Sequence, residues 1–318
     1  MIFILNIMSN TQPKVAIVTG CSSGIGFETC LALGRAGYVV CATMRDINKS
    51  TILEDIAKKE NIRLRTFKMD VNNDHSINNT ISEIINEFGR IDVVVNNAGY
   101  ALLGAIEDLS MEDIKEQFET NVFGVIRVIK KVLPRLRKQN GGTIVNISST
   151  AGLLGFPSES IYCGTKYAVE GMSEALSYEL EPFGINVVLV EPGAFNTKFV
   201  KNLVIPNLKY KVEKNIVDKK SNNQNKKELS KSPYDPTISE FLTVLFDAES
   251  KAPHPRIVAN EIVIALGKIT KKQHIGNLLR IPVGEDAKRY SKLKKEVNDD
   301  EFHNLLRNDL KTYAEKIR

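Results

Sequence analysis

The chain has 318 residues, of which 42% are hydrophobic and 25% charged, with a formal net charge of +5. This composition is typical of a soluble globular protein with a substantial core. No run approaches the roughly 18 apolar residues of a membrane-spanning helix, so no membrane span is expected. The length allows two average domains, but a single α/β domain of this size is ordinary.

The cysteine and histidine patterns argue against a metal site and against a disulfide scaffold. The four cysteines form no C-x-x-C pair and no zinc spacing, and the four histidines include no H-E-x-x-H. We therefore expect no metal site, and a reducing cytoplasmic location rather than a disulfide scaffold. The start of the chain lacks the basic flank and cleavage site of a secretory signal, and Met8 is an alternative initiator to Met1. Residues 1–13 are expected to form a flexible lead.

The basic excess is confined to one stretch. Residues 209–231 hold eight lysines against three acidic residues, an excess equal to the whole net charge of +5. When the rest of the chain is neutral, a lysine- and asparagine-rich stretch is typical of a solvent-exposed loop. No nucleic-acid partner is therefore expected. The alternative is a lid that attracts anions.

Strands and helices alternate along the first two thirds of the chain. This order predicts an α/β fold, a Rossmann-like, doubly wound and mostly parallel sheet in a single domain. A capping-box pattern, Ser110 with Asp113, opens the longest predicted helix. The predicted strands are 14–19, 39–43, 63–69, 91–96, 143–147 and 185–190. The predicted helices are 25–35, 47–59, 76–88, 110–137 and 160–183.

The regular order ends after Pro192-Gly193. Residues 194–255 are predicted to be an insertion within a domain of residues 14–290. Within it, 212–232 is expected to be disordered, and Asp235-Pro236 to provide the N-cap and first residue of a helix with an apolar stripe. We interpret 195–204 and 237–246 as a substrate lid, with a packed surface insertion as the alternative.

The chain then resumes its regular elements. A helix at 257–268 and a strand at 278–283 are predicted, followed by a C-terminal helical extension at 291–318. Asn298 and Glu301 are expected to cap that extension. It packs either on the body or on a second subunit.

A glycine-rich turn follows the first strand. Glycines at this position allow a tight turn and let the backbone approach a pyrophosphate at the positive end of a helix. Its place directly after a buried N-terminal strand favours a dinucleotide site over a plain turn. The candidate cofactor-binding residues in this turn are Gly20, Ser22, Ser23, Gly24, Ile25 and Gly26.

The ends of the next three strands bear on the choice of dinucleotide. Thr43 supplies no carboxylate for a free ribose 2′-hydroxyl, whereas Arg45 can pair with a 2′-phosphate. This favours NADP(H) over NAD(H), unless Arg45 is simply solvated. Asp70-Val71 is placed to accept a hydrogen bond from an adenine amino group, or else Asp70 caps a helix. The small residues of Asn96-Asn97-Ala98-Gly99 let the backbone pass under a dinucleotide.

Tyr162 and Lys166 form a candidate proton-transfer pair, because residues four apart share one helix face. A free phenol has a pKa of about 10, and a nearby ammonium favours the phenolate and lowers that pKa. A hydroxyl of Ser148-Ser149 is placed to polarise a carbonyl oxygen. Asn121 is placed to hold a water for proton exchange, or is a buried hydrogen-bonding residue.

Together these motifs resemble the short-chain dehydrogenase/reductase family of the single-domain type. T-G-x-x-x-G-x-G, N-N-A-G, a serine, Y-x-x-x-K and P-G occur in the order and spacing of that family, over roughly residues 14–198. The glycine turn and the A-T-M-R-D run are similar to those of hydroxysteroid and retinol dehydrogenases. The resemblance implies an oxidoreductase that interconverts an alcohol and its ketone or aldehyde on an apolar small molecule.

The resemblance also implies a role for each candidate residue. Tyr162 is the general acid/base, Lys166 lowers its pKa and binds the nicotinamide ribose, Ser149 polarises the carbonyl, and Asn121 relays the proton. Family members commonly pair through two long helices, so a homodimer or homotetramer is expected. The residues implied to line the nicotinamide half are Asn97, Gly99, Pro192, Gly193 and Thr197.

Other functions share some of these features. A 3-oxoacyl thioester reductase of the same family uses the same motifs, so it stays an alternative. A non-catalytic NADP(H)-sensing binding protein would keep the fold, but such proteins usually lack the tyrosine–lysine pair. Sugar epimerase chemistry is disfavoured, because its glycine spacing usually differs and its substrate domain is larger.

Overall fold

The computed structural model describes residues 12–199, 202–205, 232–271 and 278–317, with the backbone alone for 311–317. Within these ranges, seven strands form one sheet in the order β3-β2-β1-β4-β5-β6-β7, and every neighbouring pair is parallel. The strands are β1 (Val15–Thr19), β2 (Val39–Met44), β3 (Leu64–Lys68), β4 (Val93–Asn96), β5 (Gly142–Ile147), β6 (Ile185–Pro192) and β7 (Leu278–Val283).

Helices cover both faces of the sheet, because both faces of its strands are apolar. One face packs under α3, α5 and α6, and the other packs under α1, α2 and α8. The α-helices are α1 (Gly24–Arg35), α2 (Thr51–Lys59), α3 (Asp74–Phe88), α4 (Met111–Phe118), α5 (Gly124–Lys138), α6 (Ser160–Leu180), α7 (Asp235–Lys251), α8 (Arg256–Thr270), α9 (Glu285–Glu296) and α10 (Asp299–Ile317). The predicted fold class is confirmed.

Three predicted helices differ in detail from those observed. The helix predicted at 47–59 begins as a 3₁₀ turn, Ile47–Lys49, before α2. The helix predicted at 110–137 opens on the expected capping box, but a π-helical turn, Glu119–Phe123, separates α4 from α5. The Tyr162 helix, α6, ends at Leu180, and a 3₁₀ turn follows at Glu181–Phe183.

The N-cap predicted for the insertion helix is wrong by one residue. Tyr234 occupies that position, and Asp235 is the first residue of α7. The Asp235 carboxylate accepts a hydrogen bond from the Ser232 backbone at 3.1 Å instead. The predictions for residues 1–11 and for the lysine-rich tract of 209–231 lie outside the described residues.

The C-terminal extension packs on the body, which resolves one open alternative. Phe302 and Leu306 of α10 are buried against Leu154, and the predicted Asn298 cap accepts a hydrogen bond from the Glu301 backbone at 3.0 Å. The predicted domain boundary at 290 falls inside α9. Among the described helices, none has the length and apolarity that a bilayer crossing requires.

A cluster of charged side chains, two of them buried carboxylates, ties β7 to α6 and β6. The Arg280 guanidinium contacts the carboxylates of Glu170, Glu174 at 2.8 Å and Glu191 at 3.1 Å. Glu191 is 1% exposed. Burial and the neighbouring Glu170 raise the pKa of Glu191 to about 7. Arg280 therefore supplies the positive charge that offsets two buried carboxylates.

We expect Arg280→Met to destabilise the fold by about 3 kcal/mol, because removing one partner leaves buried charges uncompensated. Urea unfolding followed by circular dichroism measures this loss. The matched control is Arg289→Met, whose partner Asp309 lies nearer the surface, and which should cost under about 1 kcal/mol. Equal losses in the two variants would contradict the role given to Arg280.

Candidate active site

The ends of β1 and β4 are joined by hydrogen bonds at the carboxyl edge of the sheet. The Thr19 hydroxyl accepts from the backbone N–H groups of Asn97 at 3.0 Å and Ala98 at 2.9 Å. The Asn97 amide donates to the carbonyls of Thr19 at 2.9 Å and Gly20 at 3.2 Å. In a doubly wound sheet, β1 and β4 flank the point where the strand order reverses, which is where ligands bind.

The glycine turn between β1 and α1 has no room for a side chain at Gly20 or Gly26. A Cβ on Gly26 would lie 2.4 Å from the Asn97 amide nitrogen and 2.6 Å from the Gly20 carbonyl oxygen. Gly20 and Gly24 have φ values of 72° and 62°, in the region that favours glycine. Ser22 is exposed, and Ser23 and Ile25 are half-buried.

The start of α1 is free to receive an anion. Its N-cap, Ser23, makes no side-chain capping bond, and its first turn contains no acidic residue. The backbone N–H groups of that turn therefore keep their hydrogen-bonding capacity and the positive end of the helix dipole. These residues fit the pyrophosphate of a dinucleotide.

The end of β2 presents a cation. Thr43 is buried, and its hydroxyl donates to the Val18 carbonyl at 3.1 Å. Arg45 is exposed, and no ion pair to its side chain occurs within the described ranges. The neighbouring acid, Asp46, accepts from the Asn48 backbone at 3.1 Å and so caps a 3₁₀ turn.

Asp70 and Val71 lie just past β3. The Asp70 carboxylate accepts from the Asn72 backbone at 3.0 Å. Asn73, and not Asp70, caps α3, so the alternative interpretation of Asp70 as the helix cap is wrong. Val71 is buried against Gly124 of α5, where an added Cβ would meet it at 2.9 Å.

Tyr162, Lys166 and Ser149 come together beyond the ends of β5 and β6. Tyr162 and Lys166 are 6% and 9% exposed, and the lysine Nζ lies 5.7 Å from the centre of the phenol ring. Lys166 donates to the Ile147 carbonyl at 2.9 Å. The Ser149 hydroxyl lies close enough to the Tyr162 phenol to act against the rise of its pKa. The predicted serine, tyrosine and lysine therefore share one site.

Burial dominates the ionisation of this group. Burial lowers the pKa of Lys166 to about 8, although the charge of Glu170 opposes the shift. Burial and the charge of Glu159 raise the pKa of Tyr162, outweighing the opposite effect of the Ser149 hydroxyl. The prediction of a lowered Tyr162 pKa is therefore wrong in direction for this structure, because desolvation disfavours the phenolate.

Asn121 lies in the π-helical turn and is 2% exposed. Its amide oxygen accepts from the Tyr100 backbone at 3.1 Å, and its amide nitrogen donates to the Tyr100 carbonyl at 2.9 Å and to the Thr165 hydroxyl at 3.2 Å. The Thr165 hydroxyl donates in turn to the Tyr162 carbonyl at 2.7 Å. Asn121 thus links the loop after β4 to the first turn of α6, as its alternative interpretation expected, and Gly99 leaves room for it.

The segment after β6 is held by hydrogen bonds to residues that are distant in sequence. Gly193 donates to the Val283 carbonyl at 2.9 Å, and the Ala194 backbone donates to the Asp286 carboxylate at 2.8 Å. A Cβ on Gly193 would lie 1.9 Å from that carboxylate. The Thr197 hydroxyl accepts from the Phe199 backbone at 3.1 Å. Pro192 ends β6.

Apolar side chains surround the phenol. The rings of Tyr162 and Phe199 are 5.7 Å apart, and Phe156 and Leu203 pack on the same cluster. Phe241 of α7 lies 6.1 Å from Phe156, ring centre to ring centre. These contacts enclose Tyr162 in an apolar wall built partly from the predicted lid residues.

Two residues near the site were missed from the sequence. Asp286 fastens the loop after β6 across 92 residues of chain, a separation that no local pattern reveals. Glu159 is a buried carboxyl one turn before Tyr162. Its spacing from Tyr162 was the available signal, because residues three apart share a helix face.

Elsewhere in the described residues, no metal cluster or depression contains candidate site residues. No group of three or more potential metal-ligating His, Cys, Asp or Glu side chains occurs among the described residues. An open depression of about 530 Å³, lined in part by Gln12 and Arg63, lies at the amino edge of the sheet. It contains no candidate site residue.

Comparison with known proteins finds relatives that are named as oxidoreductases, reductases or dehydrogenases. The family model described as short chain dehydrogenase matches residues 14–207. An uncharacterized oxidoreductase, YusZ of Bacillus subtilis, is 38% identical over 277 residues, covering 86% of this chain and 90% of the relative. A 3-ketodihydrosphingosine reductase of Bacteroides thetaiotaomicron is 43% identical over 197 residues, covering 62% and 70%. Bovine retinol dehydrogenase 8 is 39% identical over 196 residues, covering 60% and 62%.

Solved structures share the fold over most of the chain. A short-chain dehydrogenase from Streptomyces avermitilis has a TM-score of 0.70 and 30% identity, covering 93% of this chain and 98% of its own. ElxO with NADP bound has a TM-score of 0.65 and 26% identity, covering 85% and 97%.

We expect Gly26→Ala to weaken NADPH binding about tenfold or more, since overpacking the turn costs about 1–3 kcal/mol. A fluorescence titration with NADPH measures the change. The control is Gly267→Ala in α8, where an added Cβ meets nothing within 4 Å. That variant should bind NADPH normally and gain about 0.5–1 kcal/mol of stability. Unchanged affinity in Gly26→Ala would remove the turn from the cofactor site.

Proposed function

The chain belongs to the short-chain dehydrogenase/reductase family of oxidoreductases, and from this premise we propose that it interconverts an alcohol and its ketone or aldehyde on an apolar small molecule. The observation that supports this most is the proximity of the Ser149 hydroxyl to the Tyr162 phenol, with Lys166 buried one helical turn away. A hydroxyl, a phenol and an ammonium beside a dinucleotide turn are suited to carbonyl chemistry.

Each residue has a part in the proposed reaction. The bound nicotinamide cofactor supplies or accepts the hydride. Tyr162 gives the proton to the carbonyl oxygen in reduction and takes it back in oxidation. Ser149 donates a hydrogen bond to the same oxygen, and the wall around Phe199 excludes water. Lys166 holds the ribose and keeps a positive charge near the phenol, and Asn121 positions the first turn of α6 for proton relay.

The cofactor of the family is a nicotinamide dinucleotide, and we propose that this chain prefers NADP(H). Arg45 supports the preference, because it is exposed at the end of β2 without a described ionic partner, and Thr43 carries no competing carboxylate. Asp70 and Val71 are proposed to meet the adenine. Asn97, Ala98, Gly99, Pro192, Gly193 and Thr197 are proposed to lie along the nicotinamide half.

The substrate is proposed to carry an apolar body. Phe156, Phe199 and Leu203 support this, since they line the phenol, and residues 194–255 would close over it as a lid. The names of two relatives indicate a keto compound and an alcohol as substrates of those proteins. A 3-oxoacyl thioester stays the alternative substrate class, and assembly as a cytoplasmic homodimer or homotetramer completes the proposal.

We expect Tyr162→Phe to lower carbonyl turnover by about 10²–10⁴-fold, because it removes only the acid/base oxygen. NADPH consumption is followed by absorbance with ketones, aldehydes and a 3-oxoacyl thioester. NADPH binding should persist, since the ring still packs on Phe199. The exposed Tyr178 of the same helix provides the control, and Tyr178→Phe should keep full activity. Full activity in Tyr162→Phe would refute the catalytic assignment.

We expect Arg45→Ala to reduce the NADP-over-NAD preference about tenfold, because a charged hydrogen bond contributes about 1.5–3 kcal/mol. The measurement is the ratio of kcat/KM values with the two cofactors. Arg63, also exposed but just before β3 at the opposite edge of the sheet, is the matched control. An unchanged ratio in Arg45→Ala would show that the arginine does not meet the 2′-phosphate.

A further inference from the structure

Helix α9 contacts two loops of the candidate site. One is the segment 193–197 after β6, here called the cofactor loop. The other is the segment 149–154 after β5, here called the serine loop because it begins at Ser149. Asp286 in the first turn of α9 bonds the cofactor loop, and Lys294 in its last turn bonds the serine loop. One helix therefore links the loops that leave two paired strands of the sheet.

The contact of Asp286 with the cofactor loop depends on two glycines. The Asp286 carboxylate accepts a hydrogen bond from the Ala194 backbone at 2.8 Å. A Cβ on Gly193 would lie 1.9 Å from this carboxylate, and a Cβ on Gly284 would lie 2.7 Å from it. Gly284 also has a φ of 101°, in the region that favours glycine. The carboxylate therefore reaches Ala194 because both neighbouring positions lack a side chain.

The cofactor loop reaches the glycine turn. A Cβ on Gly24 would lie 3.5 Å from the Thr197 Cβ, so Thr197 lies beside the start of α1. Two backbone bonds, to the carbonyls of Val283 at 2.9 Å and Pro253 at 3.0 Å, also hold this loop. Of these three anchors within the described ranges, only that of Asp286 comes from a side chain, so a substitution can remove it.

The opposite end of α9 holds the serine loop. Lys294 donates a hydrogen bond to the Leu153 carbonyl. Leu293 packs in the apolar cluster around the buried Leu154. The loop begins with the Ser149 hydroxyl, which accepts from the backbone two residues later at 3.1 Å. The placement of the serine hydroxyl is therefore tied to the end of α9.

Helix α9 is itself held by α10. Asp309 of α10 contacts the Arg289 guanidinium at 2.8 Å and accepts a hydrogen bond from the Tyr290 phenol at 3.3 Å. Asp286 and Lys294 lie about 12 Å apart along the helix axis, because each residue adds about 1.5 Å. A helix fixed in this way sets the separation of the two loops.

Building on the proposed function, we propose that α9 is a positioning helix, in which Asp286 places the cofactor loop for the nicotinamide half and Lys294 places the serine loop for the carbonyl. The two residues have separate effects, since each contacts one loop. Loss of Asp286 weakens cofactor binding, and loss of Lys294 slows the step in which Ser149 takes part. Such effects act at a distance, since a misplacement of about 1 Å can cost about 100-fold in rate.

We expect Asp286→Ala to raise the Kd for NADPH about tenfold, the effect of losing a hydrogen bond to a charged group, and to leave kcat at saturating NADPH within about threefold. A fluorescence titration measures the Kd. Asp286→Asn should keep most of the affinity, because its amide oxygen still accepts from Ala194.

The control for Asp286 is Glu285→Ala. It removes the other acidic residue from the first turn of α9, whose side chain is 94% exposed, and should leave the Kd unchanged. An unchanged Kd in Asp286→Ala, or an equal rise in Glu285→Ala, would overturn the proposal.

We expect Lys294→Met to give the reverse pattern, an unchanged Kd for NADPH and a kcat about threefold to tenfold lower, because the serine loop loses one of its contacts. Lys292→Met is the control. Its lysine is 72% exposed and pairs with Glu296 at 3.8 Å, so neither value should change. If Lys294→Met raised the Kd as much as Asp286→Ala, or left kcat unchanged, the proposal would be wrong.

Hydrogen exchange followed by mass spectrometry separates this inference from the proposed function. Asp286→Ala should speed exchange in the cofactor loop alone, and Lys294→Met in the serine loop alone. If the wild-type protein binds NADPH but reduces no carbonyl compound, the proposed function fails, and the Kd values and exchange rates still decide the role of α9. Carbonyl reduction with unaltered NADPH affinity and exchange in Asp286→Ala would refute the role of α9 alone.

Discussion

The junction between β1 and β4 is the contact on which the candidate site depends. Thr19 and Asn97 exchange hydrogen bonds there, and Asn97 also holds the Gly20 carbonyl. This arrangement sets the path of the glycine turn and leaves no space for a side chain at Gly26. The glycine turn thereby points the N-terminus of α1 toward the place where a pyrophosphate would lie. The loop after β4 then leads to Asn121, which positions the first turn of the Tyr162 helix.

Buried ionisable side chains lie near the phenol. One of them is Lys166. Burial lowers the pKa of its ammonium group, and the charge of Glu170 raises it. Glu170 is itself held by Arg280 of β7, so the edge of the sheet helps to keep an ammonium beneath the site. Glu159, just before α6, opposes ionisation of Tyr162.

The parts predicted from the sequence are those encoded over short distances. The glycine turn, the Ser110 capping box and the Tyr162–Lys166 spacing each follow from neighbouring residues, and the alternation of strands and helices follows from local periodicity. The π-helical turn around Asn121 could not be predicted in this way, because Asn121 forms hydrogen bonds with Tyr100 and Thr165 in other parts of the chain. Nor could the Asp286 contact, made across 92 residues. The direction of the Tyr162 pKa was mispredicted because burial, which the sequence does not display, exceeds the lowering effect of Ser149.

Isotope transfer tests most directly whether the protein passes a hydride from the nicotinamide to a carbonyl carbon. The protein is incubated with NADPH that carries deuterium at both C4 positions and with an aliphatic ketone, and the product is analysed by mass spectrometry. We expect an alcohol with one deuterium on the former carbonyl carbon and none on its oxygen after exchange with water. An alcohol without deuterium on that carbon, or no alcohol from any ketone, aldehyde or 3-oxoacyl thioester offered, would contradict the proposed chemistry.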